Sequence, residues 1–150
     1  MKRINLLFIL FTIFTISCKK HKCDDYSCFT PPNFFNFDIV DKTTGENLFT
    51  NGTYNESDVE ITNLLDSTIY EYYNFNEYAT NWLIFNGIGW QSEIVSLSVS
   101  IDGNHIFNFY VDAERKEENC CSFTEYHEIN IDSTEYELNT NSGLYKIFVE

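Results

Sequence analysis

The sequence predicts an all-β fold, an antiparallel β-sandwich of about eight strands, with a small β-barrel as the alternative. Three observations predict it. Apolar and polar residues alternate over short stretches through most of the chain beyond residue 33, and a period of two marks a half-buried strand. Turn-forming residues recur roughly every 8–12 positions, the spacing of sandwiches and barrels. No stretch of the body keeps the 3.6-residue period of an amphipathic helix.

The elements follow in order. Pro31-Pro32, the two prolines of the chain, favour a stiff extended segment and no helix. Residues 18–32 therefore read as a tether and residues 33–150 as the domain. Phe35, Phe37 and Ile39 alternate with Asn36 and Asp38, and residues 41–45 supply a turn. Val59 and Ile61 alternate with Asp58, Glu60 and Thr62. Residues 69–75 form a Tyr-rich strand, and residues 82–85 are an unbroken apolar run that suits burial on both faces, ended by Gly87 and Gly89. Residues 94–101 and 105–111 form the clearest pair. A three-residue loop, Asp102-Gly103-Asn104, sets Val99 opposite Phe107, Leu97 opposite Phe109 and Val95 opposite Val111. A two-residue loop slips that register by one. Residues 112–119 read as a charged loop before Cys120-Cys121, and residues 123–131 and 144–149 complete the set. A domain of 118 residues buries about two-thirds of its surface, enough for an independent core.

Nine Lys plus Arg against 23 Asp plus Glu give a net charge of -14. Nucleic acid is therefore not an expected partner, because a phosphate backbone requires a basic face. The apolar fraction, 43%, is too high for a disordered chain. A length of 150 residues fits one ordinary domain.

The N-terminus carries the strongest motif. Lys2 and Arg3 precede an apolar run over residues 6–16, broken only by Thr12 and Thr15. As a helix, that run spans roughly half the hydrocarbon thickness of a bilayer. A basic start, a short apolar run and a small residue before a break describe a cleaved export signal and not a spanning helix. Ile16-Ser17-Cys18, followed by Lys19-Lys20, resembles the lipobox of a bacterial lipoprotein precursor. Ser17 matches the small position and Cys18 the lipidated cysteine, while Thr15 stands where Leu is usual. The resemblance covers residues 1–18 only. It implies cleavage of residues 1–17, a diacylglycerol on the Cys18 thiol and an acyl chain on the new amine. It further implies an anchor in the membrane of the cell envelope, with the outer membrane expected and either its periplasmic or its surface face possible. Two or more acyl chains hold far more firmly than one, at about 0.8 kcal/mol per CH₂. Removal of Lys2 and Arg3 with the signal leaves 133 residues with seven basic and 23 acidic side chains, a net charge of -16. The Asn-rich, aromatic-rich body resembles, in style, small envelope lipoproteins of Bacteroidetes, many of them uncharacterised.

Once Cys18 is lipidated, Cys23, Cys28, Cys120 and Cys121 remain. An oxidising compartment makes two disulfides the default. A bond between adjacent Cys120 and Cys121 closes a strained ring, so the expected bridges join the 23/28 pair to the 120/121 pair, with the choice of partner open. A four-thiolate zinc site is the rival, and adjacent cysteines fit its tetrahedron poorly.

No other pattern orders reactive groups into a site. His21 sits in the tether, His105 at the foot of the hairpin, and His127 shares parity with Ile129 and Ile131, at the rim of the core. His127-Glu128 begins like a zinc-protease helix, but Ile131 stands where the second His belongs. Gly87-Ile88-Gly89 lacks the third glycine of a dinucleotide loop. Carboxylate pairs such as Glu135 and Glu137 arise by chance among so many acids and suit a solvated face. No catalytic residue, cofactor or metal is assigned, beyond the covalent lipid on Cys18; calcium binds loop oxygens with little sequence signature.

The aromatics leave one opening. Tyr70, Tyr72 and Tyr73 crowd one strand region, with Trp82 and Trp90 nearby. Such faces stack on sugars and anchor protein interfaces, although aromatics in strands are more often core. The expected function is thus non-catalytic binding of a glycan or protein at the envelope. The alternative is an acidic inhibitor or chaperone of a cationic envelope protein, such as a lysozyme. The sequence sets no oligomeric state.

Overall fold

The computed structural model describes residues 28–71, 73–75 and 80–150. The signal segment, Cys18, Cys23 and Tyr72 lie outside them. Ten strands form among the described residues: β1 (Cys28–Phe29), β2 (Phe35–Asp41), β3 (Val59–Asn63), β4 (Tyr73–Phe75), β5 (Leu83–Phe85), β6 (Glu93–Ile101), β7 (Asn104–Glu118), β8 (Cys121–Asp132), β9 (Glu135–Asn139) and β10 (Leu144–Val149). They make two five-stranded sheets, in the orders β1-β8-β7-β6-β3 and β4-β5-β2-β10-β9. The all-β sandwich is therefore the architecture, with one sheet curled into a half-barrel.

Both sheets are mixed, which the expectation of a purely antiparallel arrangement did not anticipate. β1 runs parallel to β8, and β10 runs parallel to β2. A tight turn forces antiparallel pairing only between strands adjacent in sequence. β2 and β10 come from opposite ends of the domain, so no turn dictates their sense.

The core sits where the inner faces meet. Phe37 is fully buried at its centre, with ring centroids 5.0–5.3 Å from Phe85, Phe107, Phe109 and Tyr145. Val95, Leu97, Val99 and Ile101 of β6 supply the opposing aliphatic wall. Burial of Phe-sized side chains contributes roughly 2–3 kcal/mol each, and edge-to-face ring pairs add about 0.5–1.5 kcal/mol more. β5 is buried on both faces, as its unbroken apolar run predicts.

The hairpin corrects the sequence reading in part. Val99 faces Phe107, Leu97 faces Phe109 and Val95 faces Val111, as expected. The turn, however, has two residues and not three: Ile101 pairs with Asn104, and Asp102 and Gly103 take φ of 51° and 72°, the signature of a type I′ turn. A bulge between Val99 and Ser100 takes up Ile106 as an extra residue and restores the register. Ile106 and Phe107 are adjacent and both buried, which regular alternation cannot achieve.

Residues 112–118 are not a loop. β7 runs on to Glu118, because Ala113 is buried opposite Tyr126 and the outward residues make cross-strand pairs, Lys116 Nζ lying 2.6 Å from Glu125. Asn119 and Cys120, at φ of 50° and 71°, then turn the chain into β8. A second bulge, between Asp112 and Ala113, leaves His127 as the unpaired residue of β8. That extra residue turns His127 outward, so it is exposed and not at the rim of the core.

Candidate functional site

The loop from Asn86 to Ser92 carries the most exposed of the expected aromatics among the described residues. Trp90 is 50% exposed. Its indole N–H donates to the Asn86 carbonyl (3.2 Å), and its ring lies 5.8 Å from that of Phe29, tilted by 30°. The loop beneath is held from both sides. The Gly89 N–H donates to Glu93 Oε1 (2.7 Å), the Thr124 hydroxyl donates to the Gly89 carbonyl (2.7 Å), and the Tyr126 hydroxyl reaches the Ile88 carbonyl (3.4 Å). Gly89 has φ of +96°, and an added Cβ there would lie 2.9 Å from Thr124 Cγ2 and 3.0 Å from Tyr126 Oη. Only glycine fits this close approach.

Arg115 fixes the neighbouring N-terminal segment. Its guanidinium donates to the Thr30 carbonyl (2.9 Å), Thr124 Oγ1 (2.8 Å) and Ser122 Oγ (2.9 Å). The planar fork thus joins three points that a lysine ammonium cannot span as well. The Cys28–Cys121 disulfide closes the same corner.

Beside Trp90 lies a groove of about 440 Å³, lined by Asn63, Ile69, Tyr70, Gln91 and Glu93 among others. A second groove of about 440 Å³ shares Ile69 and Tyr70 and adds Glu56, Glu60, Glu71 and Tyr73. Tyr70, which lines both, packs edge-on against Phe85, 6.0 Å between centroids. Burial raises the Tyr73 phenol above its ordinary value, and the Glu56 charge raises it further. The Tyr73 ring is thus a neutral, partly buried wall.

Of the five aromatics expected at a site, Tyr70 and Trp90 line one groove, and Tyr70 and Tyr73 line the other. Trp82 is half-buried beside β5 and lines neither groove; Tyr72 is outside the described residues. Sequence reasoning missed Phe29, Asn63, Gln91 and Glu93. A usable signal existed for Gln91: it follows Trp90 in a glycine-broken loop, where a large aromatic has no strand neighbour to cover it.

The cysteine expectation meets the structure at Cys28–Cys121. Cys120 is disulfide-bonded as well. His127 Nε2 lies 2.9 Å from Glu114, which also accepts from Lys116 at 3.1 Å. The bond from His127, then that from Lys116, holds the Glu114 carboxyl below its ordinary value. His105 is exposed and bonds Asn108 at 2.9 Å. Among the described residues, no group of three or more His, Cys, Asp or Glu is placed to hold a metal ion.

No family model, curated protein or solved structure matches the chain.

Proposed function

We propose that the chain is an exported lipoprotein, anchored through Cys18 at the outer membrane, whose β-sandwich binds a glycan or protein without catalysis. The basic start, short apolar run and Ile16-Ser17-Cys18 support the anchor. A disulfide at Cys28–Cys121 suits an oxidising compartment and supports export. The expected result is incorporation of an alkynyl fatty acid by the chain expressed in a Gram-negative host, lost in Cys18→Ala. Label that survives this change overturns the anchor.

One observation carries the binding reading: a rigidly held, half-exposed Trp90 beside a groove lined with amide and carboxylate groups. An aromatic face with hydrogen-bonding groups around it suits a sugar ring or an interface side chain. On a glycan array Trp90→Ala should lose binding with an unchanged thermal transition, while Trp82→Ala should not lose it selectively. Equal binding by wild type and Trp90→Ala sinks this assignment.

A second reading, capture of a cationic envelope protein, is favoured by the net charge of -16 that follows signal removal.

A further inference from the structure

The open side of the sandwich gives that second reading a definite surface. β8 ends at Asp132 and β9 begins at Glu135 in the other sheet, so these two strands border one side of the molecule. Among the described residues, no strand pairs with the outer edge of β9, and β1 covers β8 only at Cys121 and Ser122. Two rows of backbone donors and acceptors there therefore lack strand partners among the described residues.

The side chains beside these edges belong to the core face but are left wet. Ile129 pairs with buried Val111, Tyr136 with buried Ile147, and Leu138 with Tyr145. Paired residues share a face, yet Ile129, Tyr136 and Leu138 remain 38%, 42% and 41% exposed. A groove of about 310 Å³ runs beside Ile129, between Phe34 and the turn at Gly143. An apolar inner face next to an unpaired edge is a template for one more strand.

The outward-facing residues select the occupant. β8 presents Glu128 and Asp132, and β9 presents Glu135 and Glu137. Lys42 reaches Glu135 at 3.1 Å, and Lys146 pairs across from Glu137. A second copy of β9 laid against the first would bring these acids onto one another, which disfavours self-pairing. A strand with lysine or arginine on its outer face and apolar side chains on its inner face meets both surfaces.

We propose that the β8/β9 side takes up an extended, basic segment of a partner protein by strand addition. The proposal rests on the second reading above and names its surface and the backbone conformation of its partner.

The test uses the full chain with its disulfides intact and a labelled peptide of about nine residues alternating lysine and valine. Companion peptides carry N-methyl groups on every lysine or on every valine, so each blocks the backbone donors of one edge; a third replaces lysine by glutamate. Strand addition predicts binding by the parent peptide and weakening of roughly tenfold or more in one N-methylated form. It also predicts slowed amide exchange along β9 or the free part of β8, and weaker binding by Glu137→Lys. Binding by both methylated peptides as tight as by the parent would leave electrostatic capture standing and overturn strand addition. No binding by any lysine peptide overturns both. Self-association without peptide makes a second copy the occupant and also overturns the proposal.

Discussion

At the scale of single residues, chemistry depends on neighbours that the sequence does not announce. Trp82 and Trp90 read alike in the chain, but Trp90 lines the groove beside Tyr70 and Trp82 lines neither groove that Tyr70 borders; Glu93, Thr124 and Tyr126 fix the Trp90 loop in place. Thr124 and Tyr126 are remote in sequence, so the anchoring of the Trp90 loop was not legible. The two loop glycines differ in the same way. Gly103 has φ of +72° with nothing near its missing Cβ, whereas Gly89, at +96°, has Thr124 and Tyr126 within about 3 Å. Gly103→Ala should cost about 1–2 kcal/mol, the left-handed penalty alone. Gly89→Ala adds a clash and should cost about 2–4 kcal/mol. Urea unfolding of both variants checks the order, and equal midpoints would show that the Trp90 loop yields without cost.

At the scale of elements, alternation told strands from loops wherever one face was apolar and the other polar. It placed β2, β3 and β6 closely, because Phe35-x-Phe37-x-Ile39 and Val95-x-Leu97-x-Val99 bury every second residue. It failed where neither face of a strand offers a run of buried apolar residues. β7 beyond Val111 offers Asp112, Glu114, Lys116 and Glu118 outward and only Ala113 as a buried partner, so composition read it as a charged loop. Its pairing with β8 holds it extended. β9 was hidden for a related reason. Its Glu135-Tyr136-Glu137-Leu138 alternation is regular, but all five of its residues are exposed, and its acids were read only as a solvated face. The bulges were illegible for a third reason: an inserted residue such as Ile106 or His127 changes no pattern until a partner strand is present to count against. Each failure falls where tertiary pairing outweighs local pattern. Both edges of the proposed strand-addition surface lie in or beside such regions.

At the scale of the whole molecule, sheet order was beyond the sequence, since β2 and β10 meet from opposite ends of the domain. Charge was legible from the start, and it combines with burial into a pH dependence. Burial is the leading cause that raises the phenols of Tyr54, Tyr73, Tyr126 and Tyr145 above their ordinary value. Above pH about 10 the unfolded chain releases these protons while the folded chain retains them, so stability falls as pH rises. Each new phenolate would also add negative charge to a chain already at -14. Both effects therefore act in one direction on the alkaline side. On the acid side they oppose. Asp41, Asp58, Asp66, Glu114 and Asp132 are held low mainly by hydrogen bonds that they accept. Their contribution is present above about pH 4 and is lost as pH falls through their lower folded values. Those same protonations relieve the repulsion among 23 acids. The five carboxylates are solvent-exposed, so their bonds count for little. The urea midpoint measured from pH 3 to 11 should therefore fall steeply above pH about 10 and only shallowly below pH about 4. A steep acid limb with a flat alkaline one would mean that the surface carboxylates, and not the tyrosine-lined core, set the limits of this fold.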